Sequence, residues 1–148
     1  MLLNRRHLLA GLPLLFVATK AGAQGAPTIN VIKTATCGCC GDWVTHLRQN
    51  GFRPTVTDVR DLTPIARRLG VPDDLRSCHT AMVGGYAIEG HVPASDIRRL
   101  LRERPAAAGI AVPGMPHGSP GMEHGGHREP YRTILFTRAG RRSVFAQH

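Results

Sequence analysis

Apolar positions recur along this chain at two spacings, and the switches between them mark its elements. Ile29, Val31 and Ile32 make a β-branched run that predicts a first strand over 29–33. Trp43, Val44 and Leu47 fall on one helical face, which predicts a helix over 42–50 closed by Gly51, a residue type that tolerates the left-handed end of a helix. Valines and threonines alternate over 52–59 as a second strand, so strand, helix and strand form a βαβ unit with a parallel pair. Thr63 as a cap and Pro64 at the first helical position open a short second helix that Gly70 ends. The loop Val71-Pro72-Asp73-Asp74 leads to a third strand over 80–83, and Gly84-Gly85 joins it as a hairpin to 86–89. Ile97, Leu100 and Leu101 give the buried stripe of a third helix, stopped by Pro105. Residues 106–130 show no readable element, while 131–137 and 143–146 close the chain as a hairpin around Arg138-Ala139-Gly140. Trp43 and Met82 are expected in the core.

Composition changes the picture first at the N-terminus. Arg5-Arg6, an apolar run to Val17 and the small residues Ala21-Gly22-Ala23 read as a cleaved export signal of twin-arginine type over 1–23. The run holds Gly11 and Pro13 and falls short of the roughly 20 residues of a bilayer span, so no membrane span is expected after cleavage. Residues 24–148 are then expected to form one domain in the periplasm. Cleavage removes Arg5, Arg6 and Lys20, so 19 basic residues become 16 against 10 acidic ones and the charge falls from +9 to +6. In an exported protein such an excess implies solubility and some affinity for anionic surfaces, and it argues against nucleic acid as a partner. Arg98, Arg99, Arg102 and Arg104 read as the solvated face of the third helix.

The candidate chemistry lies in Cys37-Gly38-Cys39-Cys40, at the junction of the first strand and the first helix. A helix N-terminus carries unpaired N–H groups and the positive end of the dipole, so it favours thiolate, the form that attacks disulfides and binds metal. The fourth cysteine is Cys78, in Ser77-Cys78-His79-Thr80. An exported chain could use four cysteines as two staples. Adjacent Cys39 and Cys40 do not readily bridge each other, however, and a Cys37–Cys40 bridge would lock nothing distant; only Cys78 bridged to the cluster would be an effective staple. Three thiols at one turn therefore suit chemistry, with disulfide pairing as the resting or oxidised state.

The order βαβ, α, ββ, α, with cysteines at the first strand–helix junction, is similar to that of a thioredoxin-like domain. The fold class expected is thus α/β: a small mixed sheet with helices on both faces, plus a C-terminal β-hairpin. In such a fold the loop entering the third strand packs beside the N-terminus of the first helix. Here that loop carries Cys78 and His79, which predicts four sulfur ligands from two segments. Four thiolates suit zinc, an iron–sulfur cluster or Cu(I). The crowded Cys39-Cys40 pair is awkward around one tetrahedral ion, and bridging thiolates shared between Cu(I) ions tolerate it, so copper is favoured. Within the proline- and glycine-rich loop at 106–130, Met115, His117 and Met122 add thioether and imidazole donors, a set suited to copper in an oxidising compartment, while His124 and His127 read equally as such donors or as incidental residues of a solvated linker. His79, beside Cys78, has a better claim as a ligand than His91, since a lone histidine is more often a hydrogen-bonded structural residue.

Several motifs in order carry a resemblance: Cys37-Gly38-Cys39-Cys40 with Trp43, Gly70-Val71-Pro72, Ser77-Cys78-His79-Thr80-Ala81, Glu89-Gly90-His91-Val92-Pro93, Val112-Pro113-Gly114-Met115-Pro116 and Ser119-Pro120-Gly121-Met122-Glu123. Over residues 28–147 the chain resembles the exported metal-binding proteins of the CopG copper-resistance type. The resemblance implies a thioredoxin-like fold, a periplasmic location, and copper held by Cys37, Cys39, Cys40 and Cys78, as a multinuclear cluster with a role in copper redox and detoxification. Copper ions, and other periplasmic copper-handling proteins, are the partners it implies. Two further readings stay open on the residues alone. Cys37 and Cys40 have the C-x-x-C spacing of a thiol–disulfide oxidoreductase, and a domain merely stapled by disulfides would be fully oxidised and metal-free.

Overall fold

The computed structural model describes residues 25–148, the side chain of His124 excepted; the export signal expected over 1–23 lies outside the described residues. In chain order the elements are β1 (Thr28–Lys33), α1 (Gly38–Gln49), β2 (Arg53–Asp58), α2 (Thr63–Arg68), β3 (His79–Val83), β4 (Tyr86–Glu89), α3 (Ala94–Glu103), β5 (Gly109–Ala111), β6 (Arg132–Phe136) and β7 (Arg142–Gln147). They form one seven-stranded sheet in the order β2-β1-β3-β4-β5-β6-β7. The pairs β1–β2 and β4–β5 are parallel, and the others antiparallel. The first four strands with their helices have the thioredoxin-like plan, and the C-terminal hairpin β6–β7 continues the same sheet through β5.

Alternation along the strands separates two apolar layers. Ile29, Val31, Ala81, Val83, Ile88 and Ile110 pack with Trp43, Val44 and Leu47 of α1 and Ile97 and Leu100 of α3. Ala87, Ala111 and Phe136 face the other way and pack with Ala66 of α2, Val71 and Leu75. Helices therefore cover both faces, as expected for side chains that alternate along each strand.

The helix α1 begins earlier than its apolar residues alone suggest. Its buried positions are Cys40, Trp43, Val44 and Leu47, an i, i+3, i+4, i+7 stripe whose first member is a cysteine. Gly38 and Gly41 each weaken a helix by roughly 1 kcal/mol, but burial of Trp43, Val44 and Leu47 contributes about 1.5–3 kcal/mol apiece, so packing sets the boundary. Cys37 is the N-cap, and Cys39 and Cys40 lie inside the first turn rather than on the turn before it.

Other departures from expectation have local causes. Leu62, not Thr63, is the N-cap of α2, because the Asp61 carboxylate takes the Thr63 N–H at 2.8 Å. Met82 is 39% exposed: it points to the α2 face, and the apolar cluster there covers β4, β5 and β6 but not β3. The strand β5 lies inside the stretch that showed no element, pairing Ile110 with Ile88 and Leu135. No helix among the described residues is long and apolar enough to cross a membrane.

Candidate metal centre

Two segments converge at the start of α1. The parallel pairing of β1 with β2 and the antiparallel pairing of β1 with β3 place the loop before β3 beside that helix end, in the register Lys33↔His79. One ligand atom from each of Cys37, Cys39, Cys40 and Cys78 then lies within 4.8 Å of the others. Cys37 and Cys40 are joined as a disulfide across the first turn, with Cα atoms 5.4 Å apart, while Cys39 and Cys78 are free. Cys39 Sγ is 3.5 Å from Cys37 Sγ, and Cys40 Sγ is 3.5 Å from the Cys78 carbonyl oxygen. No acidic residue occupies the first turn of α1 and Cys37 makes no side-chain cap hydrogen bond, so the positive end of the helix dipole faces the cysteines uncompensated by a carboxylate of that turn.

A second constellation shares Cys78. His79 and His91 are both buried, and one atom from each of Cys78, His79 and His91 again lies within 4.8 Å. Cys78 Sγ is 3.3 Å from His79 Nδ1 and 3.1 Å from His91 Nε2. The tautomer of His91 follows from its other nitrogen: Nδ1 lies 2.8 Å from the Pro120 carbonyl, which can only accept, so Nδ1 carries the proton and Nε2 offers its lone pair to Cys78. His79 Nε2 is buried with no hydrogen-bond partner among the described residues. Its ring lies 4.3 Å from that of Trp43 and 4.9 Å from that of His91. Burial, and secondarily the neighbouring His91, pulls the His79 pKa down to about 3; burial also lowers that of His91. Both imidazoles are therefore neutral and able to donate to a metal. Burial, with the Cys39 thiol next in effect, pushes the Cys78 thiol up to about 12.

Glu89 holds the loop that delivers Cys78. It is 1% exposed, accepts the Ser77 N–H at 2.8 Å and the Thr80 hydroxyl at 2.6 Å, and burial raises its pKa. The segment after β5 closes over the site from the other side. The Val112 N–H reaches the Glu89 carbonyl, Ser77 Oγ donates to the Gly114 carbonyl, and Pro120 anchors His91. Gly121, at φ +85°, lies so close to α1 that an added Cβ would stand 2.8 Å from Trp43 N and 2.9 Å from the Cys39 carbonyl.

The structure thus brings together Cys37, Cys39, Cys40, Cys78 and His79 among the residues expected from sequence. Met122, half-buried, follows directly on Gly121. Met115 is 51% exposed and lines a separate groove of about 700 Å³ with Tyr131 and His148, none of whose lining residues is a cysteine. His117 is exposed, its ring 5.9 Å from that of His127. His91, which in sequence has a weaker claim than His79, joins the set as well: pairing Thr80 with Glu89 across the Gly84-Gly85 hairpin sets residues 78 and 79 opposite 91 and 90. The assembled donors, sulfur with neutral imidazole in a partly buried pocket, fit soft ions such as Cu(I) better than hard ones.

Comparison with known proteins agrees with this chemistry. A family described as "Protein of unknown function, DUF411" matches residues 75–122. No curated protein sequence matches the chain. Two solved structures, forms 1 and 2 of a copper resistance protein copG, are similar to it at 47% and 48% identity, both with a TM-score of 0.79. They cover 84% and 83% of this chain and 98% of their own. With that identity running over nearly the whole of the relatives, the chain belongs to the CopG family of copper resistance proteins.

Proposed function

We propose that this chain is an exported, periplasmic copper-binding protein that holds Cu(I) in a thiolate cluster and exchanges it between oxidation states as part of copper resistance. Residues 1–23 are the export signal in this reading, and 24–148 form the single metal-binding domain. The observation that carries it is the convergence of four cysteine sulfurs within 4.8 Å, with Cys78 shared by a second set containing His79 and His91. A sulfur common to two donor sets suits a thiolate that bridges two Cu(I) ions. Met122, and at a greater remove Met115 and His117, add soft donors from the loop that closes the site.

A second reading is favoured by the Cys37–Cys40 disulfide itself, which is the oxidised form of a C-x-x-C thiol–disulfide oxidoreductase. Elemental analysis with a free-thiol count on the reduced mature protein separates the two. More than one copper per chain, with at least tenfold weaker binding in Cys39→Ala and Cys78→Ala, is the expected result. Unaltered copper content in both variants, together with rapid disulfide exchange with glutathione, gives the site to thiol exchange instead.

A further inference from the structure

Four sulfurs converge, yet only two of them are thiols in this structure. A disulfide sulfur is a poor ligand beside a thiolate, so the state shown has half of the cluster's thiolate capacity. The division is not symmetrical. Cys37 and Cys40 sit one turn apart at the N-cap and in the first turn of α1, with Cα atoms at a separation that suits a bridge, 5.4 Å. Cys78 belongs to the opposite wall, where His91 Nε2 holds its Sγ at 3.1 Å. Cys39 lies only 3.5 Å from Cys37 Sγ and remains unbonded.

We propose that the four cysteines divide into an electron-donating pair and a retaining pair. Cys37 and Cys40 reduce copper on entry, and Cys39 and Cys78, with the two histidines, keep the reduced ion. This inference rests on the copper-binding reading and names how that site is regulated. In the step, the Cys37 and Cys40 thiolates each give up one electron, the S–S bond forms between them, and two Cu(II) become two Cu(I). Any proton still on either sulfur passes to water. Because all four sulfurs lie within 4.8 Å, an ion bound to Cys39 or Cys78 is in reach of the donating pair.

The same step that makes Cu(I) removes two of its thiolate ligands. Reduction therefore leaves the ion on a smaller donor set, from which a soft acceptor can take it. An external dithiol restores the pair by exchange, itself becoming a disulfide. Its point of attack is Cys37, half-buried, because Cys40 is fully buried.

The test uses the mature protein, fully reduced and free of oxygen, titrated with Cu(II). The expected result is loss of the Cu(II) paramagnetic signal for about two ions per chain, with one new disulfide. Peptide mapping after metal removal by a chelator should place it at Cys37–Cys40, with Cys39 and Cys78 still open to alkylation. The Cys37→Ser and Cys40→Ser variants should each lose more than nine-tenths of the reduced copper. A disulfide mapped to Cys39–Cys78 or between chains, or reduction undiminished in both variants, overturns the proposal. Cu(I) supplied directly to the reduced wild type tests the copper-binding reading separately: uptake of Cu(I) without reduction of Cu(II) sinks only this inference, while failure to take up Cu(I) sinks the reading beneath it.

Discussion

His91 does two things with one ring. Nδ1–H fastens the Pro120 carbonyl of the covering loop at 2.8 Å, and Nε2 turns toward Cys78 at 3.1 Å. Replacing it removes a donor from the site and unties the loop above it. His91→Ala is expected to weaken copper binding about 10- to 100-fold, the range found when groups that orient metal ligands are lost. The metal-free form should lose about 1–3 kcal/mol, because the Pro120 carbonyl is left buried without its donor. Chelator competition and thermal melting measure the two effects. At this scale the cysteines were legible because three thiols in four residues have few structural uses. His91 was legible only as a flanking residue with the weaker claim, because twelve positions separate it from His79 and only strand pairing joins them; Glu89 was hidden for the same reason, a carboxylate in a strand whose partners lie on the preceding loop.

Among the elements, the loop after β5 depends on a close approach that only glycine allows. At Gly121 a Cβ would meet backbone atoms of Trp43 and Cys39 in the first turns of α1, and φ is +85°. Gly140, in the β6–β7 turn, has a similar φ of +82° with nothing within 4 Å of an added Cβ. Gly140→Ala therefore reports backbone strain alone, about 1 kcal/mol. Gly121→Ala adds displacement of the loop, so it should cost a further 1–3 kcal/mol or so and lower copper retention, which Gly140→Ala should leave unchanged. Melting curves and dialysis against a chelator make the comparison. Helices and long strands were readable because their periods repeat several times. A strand of three residues, Gly109–Ala111, repeats nothing, and its place in the sheet comes from Ile88 and Leu135 on either side. The start of α1 is not legible from its aliphatic and aromatic residues alone, because the first member of the buried stripe is a cysteine, Cys40.

In the molecule as a whole, α1 and α3 lie on the same face of the sheet and are tied by His46. Its Nε2 accepts the Ala94 N–H at the start of α3 at 3.1 Å, which requires an unprotonated nitrogen. Burial lowers the His46 pKa below its usual 6.5, against an opposing pull from Glu123. The unfolded chain then takes up the proton first as pH falls. The stabilisation is fully present above about pH 6.5 and is lost as pH drops from there through the lower folded value. His46→Gln keeps an acceptor but does not titrate, so between pH 7 and about 5.5 its melting temperature should fall less than that of the parent in metal-free protein. Equal slopes would show that the tie does not titrate in this range. The thioredoxin-like plan was legible at this scale because element order and the parallel first pair fix the strand order. Continuity of the C-terminal hairpin with the sheet was not, since it depends on β5.

Trp43 closes the core under the site. Its indole N–H donates to the Val92 carbonyl at 2.9 Å, and its ring lies 4.3 Å from that of His79. The sequence contains one tryptophan. Light emitted by this protein on indole excitation therefore comes from a single buried point, next to an imidazole whose Nε2 has no hydrogen-bond partner among the described residues. The fold has built an optical reporter into the floor of the candidate site, and quenching of it is the expected sign of copper binding at His79, read without a label and without altering a side chain.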